Sequence, residues 1–172
     1  MRNLILGLIL GILLVPALVY LYMRSGLAPV ATAEPMMPFE KRLANLALHA
    51  KLRQEEPQTV PLQADDATFL AGARIYREDC AMCHGSANQP PPKVIKGMFP
   101  RCPQLLAPHK GVTDDPPGET FWKVKNGIRL SGMPGFHDSL SDEQLWQVSL
   151  LLANADKLPD SVNQALAAPP PK

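Results

Sequence analysis

The stretch Cys80-Ala81-Met82-Cys83-His84 decides how the rest of this chain is interpreted. Two cysteines three positions apart, followed at once by a histidine, are the pattern of a covalent haem attachment site. On a helical turn the two thiols lie on one side, where each can form a thioether with a haem vinyl group. The histidine then supplies one axial nitrogen to the iron. The sequence therefore predicts one covalent haem c held by Cys80, Cys83 and His84.

A pair of cysteines at this spacing also occurs in zinc sites and in thioredoxin-like redox proteins. A zinc site needs a second pair of ligands at suitable spacing, and the remaining Cys102, His49, His109 and His137 form no such pair. A thioredoxin-like redox pair belongs beside a βαβ pattern, and no convincing strand is visible. Both alternatives are therefore disfavoured. Cys102 has no assigned role, and the simplest interpretation is a buried, inert thiol.

Composition sets the scale of the protein. The 172 residues allow about one domain with additional segments. A net charge of +1 gives no argument for a nucleic-acid partner. Aromatic residues make up only 6% of the chain, and 19 prolines point to extended loops. A haem would supply part of the apolar core that so few aromatic side chains leave missing.

The N-terminal residues 1–24 are predicted to be a transmembrane anchor. Residues 4–23 form an uncharged run, and this run is long enough to span a bilayer as a helix. A cleaved signal peptide remains the alternative, with a cut after Ala33 in Ala31-Thr32-Ala33. However, signal peptides usually have a shorter apolar core. We expect the anchor to be retained in a bacterial inner membrane, crossing it once, with the haem domain in the periplasm.

The next segment, 25–63, is predicted to be a linker that contains a short amphipathic helix over 39–53. The haem domain should cover 64–160 and be all-α. A helix capped by Asp65 or Asp66 leads to the cysteines, with Gly72 permitting close approach of another helix. A second helix covers 118–126. A third begins at Ser141 with a capping box and ends at Pro159. Residues 161–172 are predicted to be a disordered tail.

The other axial ligand of the iron has several candidates: Met98, His109, Met133 and His137. Met133 is best placed because it lies in a loop between two predicted helices. Pro134 disfavours helical backbone at Met133 and stiffens the loop. Arg101 and Trp122 are candidate contacts to the haem propionates or the haem edge, whereas Trp146 is expected in the core.

The haem motif together with Gly132-Met133-Pro134 resembles class I cytochrome c. The stretch 126–134 also resembles membrane-associated monohaem cytochromes c of proteobacteria. The resemblance covers about 64–160. It implies a small cytochrome c fold, with about three core helices around the haem, and no catalytic residues. It also implies one-electron transfer with His84 and Met133 as axial ligands.

Three functions remain open at this point. The first is an electron carrier between a redox protein donor and a redox protein acceptor. Membrane respiratory complexes are among the candidates for these partners. The second is a cytochrome subunit of a membrane-associated dehydrogenase or reductase. The third, a gas-binding or peroxidatic haem protein, is disfavoured by the Met133 loop. If the basic residues in excess over 93–129 surround the haem edge, they would steer an acidic partner there; the alternative is an ordinary solvated surface. These residues are Lys93, Lys96, Arg101, Lys110, Lys123, Lys125 and Arg129.

Overall fold

The computed structural model describes residues 1–106 and 111–168. Within these ranges all regular secondary structure is helical, as the sequence predicts. The described residues divide into two compact units, of which the first covers Met1–Ala44 and the second begins at Asn45. Candidate ligand His109, the basic residue Lys110 and the last four positions of the predicted tail lie outside the described residues.

The first unit is built around helix α1, Arg2–Arg24. Its stretch Asn3–Arg24 has a mean hydropathy of 2.8 over its most apolar window, and none of that window is buried within the protein. Length and composition therefore suit a membrane span, and a signal sequence would satisfy the same criteria. Helix α2, Glu40–Glu55, begins in this unit and ends in the second.

The second unit begins its core with α3, Asp66–Ile75. The carboxylate of Asp65 accepts the backbone N–H of Thr68 at 2.9 Å, which confirms the predicted N-cap. Gly72 faces α6, Asp142–Ala153. A Cβ at this glycine would lie only 2.8 Å from the carbonyl carbon of Gln147. The absence of a side chain at Gly72 therefore lets α3 and α6 cross closely, as predicted.

Helix α6 carries the main apolar surface of this unit. The Ser141 hydroxyl accepts the N–H of Gln144, whose side chain accepts the N–H of Ser141, so the predicted capping box is present. Trp146 is buried and stacks on Phe121 with ring centroids 4.3 Å apart. Phe121 belongs to α5, Pro117–Asn126, which thereby packs on α6.

The C-terminal prediction needs correction. Helix α6 ends at Ala153 rather than near Pro159, and Pro159 instead precedes a further helix, α7, Asp160–Ala167. Val162 and Leu166 are almost completely buried in the core cluster. Residues 161–167 are therefore not a disordered tail, because the helical spacing of these two apolar side chains gives α7 a face to bury.

The predicted linker also contributes to the second unit. Leu52 of α2 is only 3% exposed. A Cβ at Gly118 of α5 would lie 3.1 Å from the carbonyl carbon of Pro57. The backbone of Pro57 occupies the space that a side chain at Gly118 would need, so the chain around Pro57 packs directly against α5.

Candidate haem site

The haem attachment motif lies at an irregular helical junction. Helix α3 continues into a π-helical turn, Tyr76–Cys80, and then into the short helix α4, Ala81–His84. Such turns often occur at functional sites. Gly85 ends α4 with a φ of +79°, a backbone conformation that favours glycine. The junction therefore turns the chain sharply just after His84.

Both motif cysteines are unpaired and partly buried. Burial is the main cause that raises the pKa of the Cys80 thiol to about 12, and the nearby Asp79 carboxylate adds to it. The thiol of Cys80 therefore stays protonated at neutral pH in the folded chain. It needs activation before it can react as a thiolate.

The His84 imidazole is oriented by the chain beyond the motif. Its Nδ1 lies 2.9 Å from the carbonyl oxygen of Pro103. Because a carbonyl only accepts hydrogen bonds, Nδ1 must carry the proton, which leaves the lone pair of Nε2 for a metal. Burial also lowers the pKa of His84, which favours the neutral form that binds metals. This donor arrangement fits an axial haem ligand.

Two further side chains hold the backbone of the motif. The Tyr76 hydroxyl, fully buried, lies 2.7 Å from the carbonyl oxygen of Gly85 and donates to it. The Gln104 amide donates to the carbonyl oxygen of Cys83 at 3.4 Å, and its carbonyl oxygen packs against Gly85. The end of α4 is therefore held from the core side and from the loop side.

The Met133 loop is closed by its own hydrogen bonds. The Ser131 hydroxyl accepts the N–H of Met133 at 3.2 Å and donates to the carbonyl of Ile128 at 2.7 Å. The N–H of Ile128 donates to the carbonyl of Met133 at 3.2 Å. Both backbone polar groups of Met133 are thus bonded, while its partly buried side chain packs against the same core cluster as Cys80.

The loop is also anchored to α5. The N–H of Phe136 donates to the carbonyl of Val124 at 3.0 Å. At Gly127, which ends α5 with a φ of +69°, a Cβ would lie 2.5 Å from the backbone nitrogen of Gly135. Any larger residue at Gly127 would push the Met133 loop away from α5.

The alternative axial ligands differ in how the structure uses them. Met98 is partly buried and near the Met133 loop, since a Cβ at Gly132 would lie 2.5 Å from its Cε. His137 is exposed, with Nδ1 3.2 Å from the carbonyl of Lys125 and Nε2 3.2 Å from the Asp138 carboxylate. Met98 therefore remains close to the candidate site, whereas both ring nitrogens of His137 have other partners.

The two candidate propionate contacts lie in different surroundings. Arg101 is exposed. The indole N–H of Trp122 donates to the Glu55 carboxylate in α2 at 3.1 Å. A propionate would have to displace Glu55 to use that donor, so the Trp122 contact stays an untested prediction, as does that of Arg101.

The described basic residues of the predicted docking region fall into two groups, those paired with carboxylates and those exposed. Lys123 pairs with Glu119 and with Asp115, and Lys125 pairs with Asp142 at 2.7 Å. Their charges are therefore largely offset locally. Four others are exposed and available to a partner: Lys93, Lys96, Arg101 and Arg129.

Sequence reasoning missed the segment Cys102–Gln104 as part of this site. The sulfur of Cys102 lies 3.4 Å from Nδ1 and 3.8 Å from Nε2 of His84, next to the Pro103 and Gln104 contacts. The three residues follow a proline-rich stretch without helical or strand periodicity, so no sequence pattern placed them against the motif.

Sequence comparisons match the chain to a family model and to part of a longer relative. The family model described as cytochrome c oxidase, cbb3-type, subunit III, matches residues 67–150. Quinohemoprotein alcohol dehydrogenase ADH IIB of Pseudomonas putida is 24% identical over 155 residues, which are 80% of this chain and 21% of that protein. The chain therefore spans about a fifth of that relative's length.

A solved structure from Kuenenia stuttgartiensis shows a weaker likeness. It is the reducing HAO-like protein complex Kustc0457/Kustc0458, which is 18% identical with a TM-score of 0.47. The match covers 74% of this chain and 68% of that one.

Proposed function

Since residues 67–150 place the chain among the class I c-type cytochromes, with the small cytochrome c fold, we propose that it transfers single electrons through one covalent haem c. Cys80 and Cys83 form the thioethers, and His84 gives the iron one axial nitrogen. The observation that carries this proposal is the Nδ1–Pro103 hydrogen bond, because it presents Nε2 of a neutral imidazole as a ligand.

Met133 is proposed as the second axial ligand. Its backbone is fixed by Ser131 and Ile128 on one side and by the α5 contact on the other. A thioether ligand held by a rigid loop stays bound in both oxidation states, so little rearrangement accompanies electron transfer. Methionine with histidine also raises the reduction potential relative to two histidines.

The bound haem supplies a one-electron ferric/ferrous couple. His84 and Met133 fill both axial positions, which leaves no coordination site for a substrate. The chain is therefore proposed to act as an electron-transfer protein rather than as an enzyme in itself, with no catalytic residues. Around this centre we propose an anchor over 1–24 and a linker that begins at 25. The haem domain predicted over 64–160 is extended by the end of α2 and by α7, whose apolar side chains are buried.

The test is a visible spectrum of the full chain, produced in a host that matures c-type haem and purified in detergent, with and without carbon monoxide. A covalent low-spin haem with a ferric methionine–iron charge-transfer band is expected. Met133→Ala should abolish that band and permit carbon monoxide binding. The matched variant Met98→Ala should retain the band, because Met98 is the other methionine near the loop.

A high-spin spectrum of the unaltered chain, or carbon monoxide binding by its ferrous form, would overturn the electron-carrier proposal in favour of ligand binding. Loss of the charge-transfer band in Met98→Ala but not in Met133→Ala would move the axial ligand to Met98.

The partners are proposed to be redox proteins with acidic docking surfaces, including membrane respiratory complexes. Support comes from the exposed cations Lys93, Lys96, Arg101 and Arg129. Opposite charges steer diffusional encounter and fix orientation. With α1 retained in the inner membrane and the haem domain in the periplasm, the tether would raise the local concentration near membrane partners.

A second candidate is a cytochrome subunit of a membrane-associated dehydrogenase or reductase. The match to a region of a protein named quinohemoprotein alcohol dehydrogenase supports it, since that relative carries similar sequence within a much longer chain. Purification in mild detergent distinguishes the two candidates. A free carrier elutes alone, whereas a subunit elutes in stoichiometric amounts with a larger partner.

A further inference from the structure

Three consecutive residues, Cys102–Gln104, each contact a different part of the haem attachment motif, and we call them the proximal strap. Pro103 accepts from Nδ1 of His84 at 2.9 Å. Gln104 donates to the carbonyl of Cys83 at 3.4 Å. Cys102 contacts the His84 ring itself. Pro103 thus lies on the Nδ1 side of the histidine, whereas Cys102 contacts the ring between its two nitrogens.

The two sulfur distances define where Cys102 sits. An atom on the Nδ1–H axis would be much farther from Nε2 than from Nδ1, because the two nitrogens point in different directions. The observed distances are nearly equal, 3.4 and 3.8 Å. The sulfur therefore lies beside the ring, in packing contact, while the Nδ1 proton is directed to Pro103. Polarizable sulfur makes favourable contacts of this kind with aromatic rings.

These contacts restrict different motions of the imidazole. The hydrogen bond to Pro103 fixes the tautomer and the tilt of the ring but permits some rotation about the axis through the donor and acceptor. A side-chain atom beside the ring blocks that rotation. Gln104 also donates to the carbonyl of Cys83, so the strap holds both the proposed axial residue and the neighbouring attachment point.

We propose that Cys102 is a positioning residue that fixes the rotational orientation of the His84 ring, a role that rests on the proposed haem ligation by His84. The orientation of the axial ring relative to the haem sets how the unpaired electron of ferric iron is distributed over the porphyrin. Cys102 thereby acts on the electronic structure of the centre through packing, without coordinating the iron or forming a disulfide.

The test compares the full chain with Cys102→Ala, each as ferric holoprotein in detergent. The readouts are the paramagnetically shifted haem methyl signals in NMR and the g-values in EPR, both of which report the orientation of axial ligands. Cys102→Ala should shift the order or spread of the methyl signals. Cys102→Val, which refills the space beside the ring, should return the pattern towards that of the unaltered chain.

Val94→Ala is the matched control, because Val94 is an exposed side chain between the motif and the strap and is not part of the strap. We expect it to leave the methyl pattern and the g-values unchanged. If Cys102→Ala fails to accumulate, Cys102→Ser takes its place, since the smaller oxygen leaves a gap beside the ring.

Unchanged spectra in Cys102→Ala would overturn the proposal, as would a pattern altered equally by Cys102→Val and Cys102→Ala. Failure of the proposed function gives a different result. The unaltered chain would then lack a low-spin haem with His84 as ligand, before any Cys102 variant is compared.

Discussion

Tyr76 connects the helical core to the haem attachment motif through a single hydroxyl group. The side chain is completely buried, and the hydroxyl donates to the carbonyl of Gly85 at 2.7 Å. The carbonyl of His84 lies 3.2 Å from the same oxygen. One buried phenol therefore lies within hydrogen-bond distance of both carbonyls, where the chain turns after His84, the proposed axial ligand.

Tyr76→Phe is expected to lower the free energy of unfolding by about 1–3 kcal/mol, because the Gly85 carbonyl would lose its buried partner. Chemical denaturation of the holoprotein measures this. Burial is also the main cause that raises the pKa of Tyr76 above its ordinary value of 10.0. The folded state then keeps a proton that the unfolded state releases. The Tyr76 contribution should thus be complete below pH 10 and fall as the pH rises further.

Tyr20→Phe is the control, because Tyr20 is an exposed tyrosine of α1. It should leave both the stability of the haem unit and its alkaline pH dependence unchanged. If Tyr76→Phe lost stability just as steeply above pH 10 as the unaltered chain, the assignment of that dependence to Tyr76 would be wrong.

Sequence reasoning identifies the candidate residues within the motif. It misses the residues that the loop after Gly85 places beside the motif. Cys80, Cys83 and His84 lie within one short stretch of specific pattern, and the Met133 loop is marked by Pro134. Pro103 contacts His84 through a backbone carbonyl, which every residue has. Its selection depends on how the loop after Gly85 folds, and no local pattern encodes that path.

The crossing of α3 and α6 shows how one glycine determines the distance between two elements. Gly72→Ala would gain up to about 1 kcal/mol in helix propensity. The added Cβ would, however, meet the backbone of Gln147 and come 3.1 Å from Cβ of Leu151. Overpacking of this kind costs about 1–3 kcal/mol. We therefore expect a net loss of stability, measured as a lower midpoint of thermal or denaturant unfolding.

Gly97→Ala provides the matched comparison, because nothing lies within 4 Å of a Cβ there and Gly97 does not need a positive φ. It should be nearly neutral. Equal effects of the two substitutions would mean that Gly72 is not limited by the α6 contact.

Helices whose ends carry clear capping residues could be predicted from the sequence. Asp65, Ser141 and Gly127 mark helix ends by capping chemistry, and the structure has helix ends at these residues. Helix α7 was missed because the alanines and prolines at the end of the chain resemble a tail in composition. Its burial depends on two apolar residues, Val162 and Leu166, finding the core, which is a tertiary effect.

The haem unit as a whole is larger than the segment that resembles other cytochromes. The family match covers 67–150, yet α7 follows it and the end of α2 precedes it. Leu52 is buried, and Glu55 accepts the indole N–H of Trp122. The residues after Asn45 therefore contribute to the stability of the domain, so a truncation near residue 64 would remove part of the packed unit.

The location of the molecule depends on whether α1 is retained or cleaved. The stretch Asn3–Arg24 is 22 residues long, whereas a bilayer core of about 30 Å requires about 20 apolar residues in a helix. Signal peptides usually have an apolar core of about 7–15 residues. We therefore expect the chain to stay in the membrane fraction after an alkaline carbonate wash. Its intact mass should include residues 1–33.

Ala33→Leu separates retention from cleavage, since it disrupts the small-residue pattern at Ala31-Thr32-Ala33 without altering α1. If α1 is retained, the variant and the unaltered chain should have the same membrane distribution and the same N-terminus. A soluble product of the unaltered chain beginning at Glu34, absent from the variant, would instead identify α1 as a cleaved signal. The proposed electron carrier would then have no membrane tether, and the proposed gain in its concentration near membrane partners would be lost.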